Sequence, residues 1–184
     1  PVYVCLPMDV LDAPAVEEVR PTFIPSTRVR PDDATVEEAA RWLAEAENPR
    51  IAIGDGIAYS QAQDALIRVA ERLGAPVWEA NNGEVNMDFT HPLYQGSTGH
   101  MFGPASRPVF QQGDVWLVCG TYLLPEVFPE LGDIFAPGAK VIHFDLDGYE
   151  IAKNHPVHLG AVSDPQLTLA ALADALERTM SATQ

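Results

Sequence analysis

The 184-residue chain has only two cysteines and no long apolar run. Cys5 and Cys119 each lie within a short apolar segment, and neither a CxxC spacing nor a framework of paired cysteines accompanies them. We therefore expect both thiols to be buried and reduced, as in a cytoplasmic protein. No segment approaches the roughly 18 apolar residues that a membrane-spanning helix requires. The sequence predicts neither a disulfide-stabilised domain nor an integral membrane protein.

Basic residues are also scarce. The chain carries 11 lysines and arginines against 26 aspartates and glutamates, which gives a formal net charge of −15. The acidic residues are spread along the chain, so the surface field should repel phosphate backbones and anionic lipids. This composition argues against nucleic acid and membrane surfaces as partners.

Prolines divide the chain into two unequal parts. Residues 2–6 (VYVCL) form an apolar, β-branched run typical of a strand, and five prolines follow within residues 7–31. Proline interrupts helices and central strands, so we expect an extended linker in that stretch. The predicted organisation is a strand end with a linker over residues 1–33 and one compact domain over residues 34–184.

In the second part, apolar strand-like runs alternate with amphipathic segments of helical period. A capping box of Thr35 and Glu38 predicts a helix over 35–47, a second box predicts a helix from Ser60 to Gly74, and Asp164-Pro165 predicts the last helix. Residues 81–102 are expected to form a loop. The predicted strands lie at 50–54, 76–80, 114–120 and 140–145. Such alternation predicts an α/β fold: a doubly wound, Rossmann-like open parallel sheet of about six strands, with helices on both faces.

Residues 54–82 begin with Gly-Asp-Gly and end with Asn-Asn. This spacing resembles the magnesium and pyrophosphate motif of thiamine diphosphate (ThDP) enzymes. Asp55 with Asn81 or Asn82 would supply hard oxygen ligands past adjacent strands, which suits magnesium. In that family, however, a glycine-rich segment precedes the motif, whereas a proline-rich linker and one helix precede it here. The alternative is that both ends of the motif are plain turns, and the order of segments favours this alternative.

The order of landmarks along the chain resembles the central domain of ThDP enzymes of the acetolactate synthase, benzoylformate decarboxylase and pyruvate decarboxylase group. The matching stretches are PVYVCLPMDV, IAIGDG, AERLGAPVW, HPLYQGSTGH, DVWLVCGT and APGAKVIHFDLDGYEI. The resemblance implies that residues 1–33 end a preceding pyrimidine-binding domain and its linker. It also implies that the catalytic glutamate and the metal ligands belong to flanking domains. We therefore expect no catalytic residue and no metal ligand in this chain, which should be inactive alone.

By the same resemblance, ThDP and magnesium serve the whole enzyme, and the partners are the flanking catalytic domains of the same polypeptide within a homo-oligomer. The central domain of acetolactate synthase holds FAD at the carboxyl ends of its strands, some relatives hold ADP, and many decarboxylases hold nothing there. Mapped by motif, the crevice residues would be Gly54, Asp55, Gly56, Gly96, Ser97, Thr98, Gly120, Thr121 and Asp145. Asp145 suits a ribose diol, because a carboxylate accepts hydrogen bonds from both hydroxyls.

Two departures from the flavin pattern leave the occupant of the crevice open. The stretch GTYLLPE lacks the arginine that flavin-binding members usually carry after this glycine, and Asp55 places a negative charge in the nearest turn. A carboxylate there repels a pyrophosphate unless a cation intervenes. The sequence leaves three alternatives open for the crevice: FAD, ADP or no ligand.

A different class of function is a stand-alone module that binds NAD, FAD or ADP on the same type of sheet. Such a module needs a complete phosphate loop, whereas GDG lacks the third glycine of GxGxxG. The leading strand, separated by a long linker, also fits a piece of a multidomain enzyme better. The sequence therefore favours the central domain of a ThDP-dependent 2-oxo acid decarboxylase or carboligase.

Overall fold

A computed structural model describes residues 3–14, 18, 20–98, 103–123 and 132–180 of the chain. In these residues, six parallel strands form one sheet in the order β3-β2-β1-β4-β5-β6. The strands are β1 Pro49–Ile53, β2 Val77–Glu79, β3 Tyr94–Ser97, β4 Val115–Cys119, β5 Lys140–Asp145 and β6 Leu159–Val162. This strand order is that of the Rossmann fold. The predicted doubly wound, open parallel sheet of about six strands is confirmed.

Helices connect the strands and lie on both faces of the sheet. The helices are α1 Met8–Leu11, α2 Asp33–Glu45, α3 Gly56–Tyr59, α4 Gln63–Leu73, α5 Gly103–Phe110 and α6 Pro165–Thr179. On one face, α6 packs against both α2 and α4. On the other face, α5 contributes Phe110, which stacks against Trp116 of β4 at a ring-centroid distance of 4.7 Å.

Successive side chains of the central strands point to opposite faces of the sheet and so contribute to both halves of the hydrophobic core. In β4, Leu117 and Cys119 face the layer of α2, α4 and α6, whereas Trp116 and Val118 face the layer of α5. Every residue of β4 is buried, as expected for a strand covered on both faces.

The prediction for the amino-terminal segment was wrong in part. Residues 3–6 have no regular secondary structure, residues 1–2 lie outside the described residues, and α1 occupies part of the predicted helix-free linker. Cys5 is exposed, contrary to the expectation that both cysteines are buried, whereas Cys119 is fully buried. A strand needs a partner for its backbone groups. In the described residues none pairs with this segment.

The two predicted capping boxes are absent at the described starts of α2 and α4. The Asp32 carboxylate accepts hydrogen bonds from the backbone N–H and hydroxyl of Thr35, so α2 starts at Asp33, two residues earlier than predicted. Ser60 follows α3 as its C-cap, and α4 starts at Gln63 without a side-chain cap. The predicted end of α4 is confirmed, because Gly74 adopts a left-handed φ of 62°.

Asp164 and Pro165 open α6 as predicted. Asp164 is the N-cap, its carboxylate accepts a hydrogen bond from the backbone N–H of Leu167, and Pro165 occupies the first turn. The predicted loop at 81–102 contains β3, which the sequence did not indicate. Within the described residues, no helix has the length and apolar character needed to cross a membrane.

Candidate functional site

A cleft of about 360 Å³ opens at the carboxyl ends of β1, β4 and β5. The chain leaves β1 toward β2 on one side and resumes at β4 on the other, so the strand order reverses at this point. Open α/β sheets bind ligands at such a switch point. The lining consists of Asp55, Gly56, Tyr59, Ser60 and Asn81, then Gly120, Thr121 and Tyr122, and finally Asp145, Leu146, Asp147, Glu150 and Pro165.

The floor of the cleft is a backbone-to-backbone contact between two glycines. The N–H of Gly56 donates to the carbonyl of Gly120 at 2.9 Å. A Cβ atom on Gly56 would lie 2.6 Å from the Gly120 Cα, and Gly120 itself has a positive φ of 68°. Both positions therefore require glycine, one for space and the other for conformation. These glycines join the loops after β1 and β4 to each other.

A buried histidine supports the floor from below. The Nε2–H of His143 in β5 donates to the carbonyl of Thr121 at 2.7 Å, which assigns the tautomer. Burial lowers the pKa of His143, because the low dielectric disfavours the imidazolium. His143 thus acts here as a neutral hydrogen-bond donor that fixes the turn after β4.

The structure divides the predicted crevice residues into two groups. Five of them line the cleft: Asp55, Gly56, Gly120, Thr121 and Asp145. Gly54 lies just behind, where a Cβ atom would meet the Thr121 side chain at 2.6 Å. The remaining three, Gly96, Ser97 and Thr98, lie at the end of β3, beyond β2, and do not line the cleft. A role of any of these residues in ligand binding stays a prediction.

The Asp55 carboxylate is used inside the protein. One oxygen accepts the backbone N–H of Gly83 at 3.2 Å, and the other accepts the backbone N–H of Glu84 at 3.0 Å and Asn86 Nδ2 at 3.2 Å. Asp55 therefore anchors the loop after β2 to the loop after β1. The sequence suggested a local turn bond for this residue, and the actual partners lie 28 to 31 positions away.

The loops after β1 and β2 form one flank of the cleft. Glu79, which the sequence did not single out, is buried at the centre of this flank. It is 1% exposed at the end of β2, and it accepts hydrogen bonds from the Tyr94 hydroxyl at 2.8 Å and from Asn86 Nδ2 at 3.3 Å. Burial raises the pKa of Glu79, the two hydrogen bonds lower it, and the charge of Asp55 raises it further. Burial and the bond to Glu79 raise the pKa of Tyr94 to about 12. A charged residue inside the apolar-looking segment PVWEA was the available sequence signal.

The opposite flank, after β5, keeps its carboxylates nearer to solvent. One Asp145 oxygen accepts the backbone N–H of Asp147 at 2.8 Å, and burial raises the pKa of Asp145. Lys153 pairs with Glu150 at 3.0 Å and lies 4.9 Å and 4.7 Å from the ring centroids of Tyr122 and Tyr149. The Lys153 ammonium group is thus held at this rim by a carboxylate and two aromatic rings.

The cleft is acidic. Its lining includes four carboxylates, from Asp55, Asp145, Asp147 and Glu150, and none of the described lining residues is a lysine or an arginine. α3, which starts at the cleft, has only four residues and therefore a weak dipole. The lining fits hydroxyl groups of a ribose at Asp145, but it does not fit a pyrophosphate.

The residues of the GDG…NN motif do not fit a magnesium site either. The Asp55 carboxylate already accepts three N–H donors, which use most of its lone pairs. Asn82 donates its Nδ2 to Ser97 Oγ at 2.9 Å. Among the residues that the structure describes, no group of three or more acidic, histidine or cysteine side chains could hold a metal ion. The motif serves to join loops.

Residues 36–172 match the family model for the central domain of thiamine pyrophosphate enzymes. The chain belongs to this family. The match covers every strand of the sheet and both sides of the cleft. Membership of this family and the Rossmann-like topology are what the order of sequence landmarks predicted.

The relatives are larger proteins. The chain is 34% identical over 187 residues to a probable acetolactate synthase large subunit of Methanocaldococcus jannaschii, covering 96% of this chain and 31% of the relative. It is 31% identical over 166 residues to a sulfoacetaldehyde acetyltransferase of Rhodobacter capsulatus, covering 89% and 28%. The crystal structure of benzoylformate decarboxylase from Polynucleobacter necessarius superposes with a TM-score of 0.75 at 30% identity, covering 88% of this chain and 30% of that one. The chain therefore spans less than a third of these proteins.

Proposed function

We propose that this chain is the spacer domain of a ThDP-dependent enzyme that decarboxylates or ligates 2-oxo acids, in the manner of acetolactate synthase. The carrying observation is the central-domain match over residues 36–172 in a chain that spans under a third of its relatives. In this proposal, residues 1–33 link a preceding catalytic domain to the domain at 34–184. ThDP and magnesium are held by flanking domains of a cytoplasmic homo-oligomer.

The residues that line the described cleft support the proposal that the isolated domain has no catalytic activity. Asp55 and Asp145 accept hydrogen bonds from backbone N–H groups of neighbouring loops, Glu150 pairs with Lys153, and Asp147 is open to solvent. The histidine closest to the floor, His143, is buried, and its Nε2 is hydrogen-bonded to a backbone carbonyl. Proton transfer needs a titrating group within reach of a substrate. Among the described residues that line the cleft, no serine, threonine or cysteine is hydrogen-bonded to a histidine or a carboxylate.

An adenine nucleotide such as FAD or ADP is the second candidate occupant. The switch-point position of the cleft and the Asp145 carboxylate at the end of β5 favour a ribose there. The four carboxylates oppose the pyrophosphate, so binding would require a divalent cation between them and the phosphates. We therefore favour a spacer whose cleft does not hold a nucleotide in the absence of such a cation.

Addition of the flanking domains tests the main proposal. A full-length protein carrying this chain should turn over one or more 2-oxo acids only when ThDP and magnesium are added. The isolated chain should show no turnover under the same conditions. Absence of turnover by the full-length protein on a broad panel of 2-oxo acids would count against the proposal.

Calorimetric titration separates the occupants of the cleft. FAD, ADP and NAD are titrated with and without magnesium, and ThDP with magnesium serves as the control for the GDG…NN motif. We expect no heat of binding from ThDP, and none from nucleotides without magnesium. Binding of FAD or ADP that is lost in Asp145→Asn would establish the second candidate, whereas binding of NAD alone would favour a stand-alone nucleotide module.

A further inference from the structure

In the described residues, hydrogen bonds and an ion pair fasten the end of the linker to the amino end of α6. Residues 28–31, here called the strap, run past this end of the helix. The backbone N–H of Asp164 donates to the carbonyl of Val29 at 2.7 Å. Arg28 donates from Nη2 to Gln166 Oε1 at 2.8 Å, and its Nη1 lies 3.8 Å from the Asp164 carboxylate.

The strap fills a requirement of α6 that the helix cannot meet itself. Asp164 is the N-cap residue and is 3% exposed, so its backbone N–H is withdrawn from water. A buried N–H without an acceptor is destabilising, and the carbonyl of Val29 is the acceptor here. The Asp164 side chain is meanwhile engaged as the cap on Leu167. The contact between strap and helix is thus a specific pairing across 135 positions.

The strap also marks an abrupt change in burial. All residues from 20 to 30 are exposed, Pro31 is buried, and α2 follows two residues later. Phe23 and Ile24, just before the strap, are each 83% exposed. Chain before the strap therefore makes few contacts with the domain, and its direction is determined where the strap is held.

The anchor is adjacent to the cleft. Pro165, the residue after the anchoring Asp164, lines the cleft. The strap and the cleft therefore share the first turn of α6. Because Ser163, Asp164 and Thr168 are buried and hydrogen-bonded to one another, this turn is rigid.

We propose that residues 28–31 form a detachable strap, anchored on the N-cap of α6, that sets the direction in which the linker leaves the domain. Release of the strap breaks the three polar contacts and exposes the buried Pro31, but it breaks no hydrogen bond of the sheet, so it re-aims the preceding segment while the domain stays folded. This inference deepens the proposed spacer role, because the direction of the linker fixes the orientation of whatever precedes it.

Trypsin measures engagement of the strap directly. Trypsin cleaves after arginine except before proline, and both Arg20 and Arg30 precede proline. The bond between Arg28 and Val29, at the start of the strap, is thus the one tryptic site within residues 1–32. Cleavage there releases peptide 1–28, which mass spectrometry quantifies. Under native conditions the rate follows the population of the detached strap.

Two variants remove the side-chain contacts of the anchor on the helix side and leave both the tryptic site and the backbone bond from Asp164 to Val29 intact. Asp164→Asn removes the charge facing Arg28 but retains a good N-cap residue, and Gln166→Ala removes the acceptor of the Arg28 bond. Asp174→Asn, an exposed α6 residue that pairs with Arg68, is the matched control. A synthetic peptide of residues 20–36 gives the rate for a detached strap.

We expect release of peptide 1–28 to be at least about tenfold slower in the wild-type chain and in Asp174→Asn than cleavage of the synthetic peptide. The double variant Asp164→Asn/Gln166→Ala keeps the backbone bond to Val29, so it should be cleaved at least about threefold faster than wild type but more slowly than the peptide, while its thermal unfolding midpoint stays within about 3 °C of wild type. A wild-type rate equal to that of the peptide, or equal rates in wild type and the folded double variant, would overturn the proposal. These rates do not depend on ThDP, so the spacer proposal fails or stands separately.

Discussion

The two flanks of the cleft use the same residue types in opposite ways. After β1 and β2, the carboxylates of Asp55 and Glu79 are taken up by hydrogen bonds from a loop and from Tyr94. After β5, Asp147 and Glu150 remain accessible, and Glu150 pairs with Lys153 beside two tyrosine rings. The first flank is a buried structural network, and the second is a wet rim. An acidic cleft is therefore not a uniform site, because the described carboxylates of the second flank are more open to a ligand than those of the first.

The difference follows from desolvation. A buried carboxylate must be hydrogen-bonded inside the protein or protonated, whereas an exposed one is satisfied by water. Glu79 is buried and its pKa is raised, whereas Asp147 is exposed and caps only a local turn through the N–H of Tyr149. Substitutions on the first flank should therefore change stability, and substitutions on the second should change it little.

The largest effect is expected at the floor that both flanks share. In Gly56→Ala, the new Cβ would lie 2.6 Å from the Gly120 Cα and 2.7 Å from its carbonyl oxygen, neither of which can move away as a side chain could. We expect a loss of about 3 kcal/mol in the free energy of unfolding, measured by urea denaturation. Gly148→Ala, whose Cβ would meet a Val162 methyl at 3.1 Å, is the control with a loss within about 1 kcal/mol. Equal losses would mean that the glycine contact is unimportant.

Next in size is Glu79→Ala. The substitution leaves the Tyr94 hydroxyl and Asn86 without their acceptor and opens a cavity, so we expect a loss of about 2 kcal/mol in the free energy of unfolding. Asp147→Ala, on the wet rim, should cause a much smaller loss. If the two variants unfold at the same urea concentration, the proposed contrast between the flanks is wrong.

A pH series sharpens the comparison further. Burial raises the folded-state pKa of Glu79 above its unfolded value of about 4.5. The contribution of protonated Glu79 to the free energy of unfolding is therefore fully present below about pH 4.5. It is lost as the pH rises through the folded-state pKa. Glu79→Gln removes this titration. The wild-type chain should therefore lose stability relative to Glu79→Gln as the pH is raised from about 4 to about 8, measured by thermal unfolding. A difference that does not change with pH would contradict the assignment.

The smallest effect is expected at Lys153. Lys153→Gln removes the pair with Glu150 and the contacts with Tyr122 and Tyr149, all at an exposed rim. The unfolding midpoint should move by no more than about 2 °C, and the difference from wild type should vanish in 1 M salt. A larger change in the unfolding midpoint that does not depend on salt would mean that the contacts of Lys153 stabilise the fold, as those of Glu79 do.

The sequence was sufficient where a local signal had one physical meaning. The apolar runs at β4 and β5 predicted central strands, Asp164-Pro165 predicted the start of α6, and Gly74 predicted the left-handed cap of α4. Five of the nine predicted crevice residues line one cleft, because the carboxyl ends of parallel strands share an edge. These features follow from periodicity, from capping chemistry and from the geometry of a parallel sheet.

The sequence was insufficient where a feature depended on a distant partner. The polar stretch YQGS forms β3 only because β2 offers it an edge, and residues 3–6 form no strand because, within the described residues, none pairs with them. Gly96, Ser97 and Thr98 were predicted beside the other crevice residues but lie beyond β2. Local propensity does not report strand order.

The sequence by itself determined the class of fold, the family of the domain and the acidic character of its surface. Only the tertiary structure decided which acidic groups of the cleft are free. Asp55 is bound by a loop about thirty residues away, and Glu79 is removed from water by the same packing. Hydrogen bonding and desolvation depend on neighbours in space, and the chain order does not specify these neighbours.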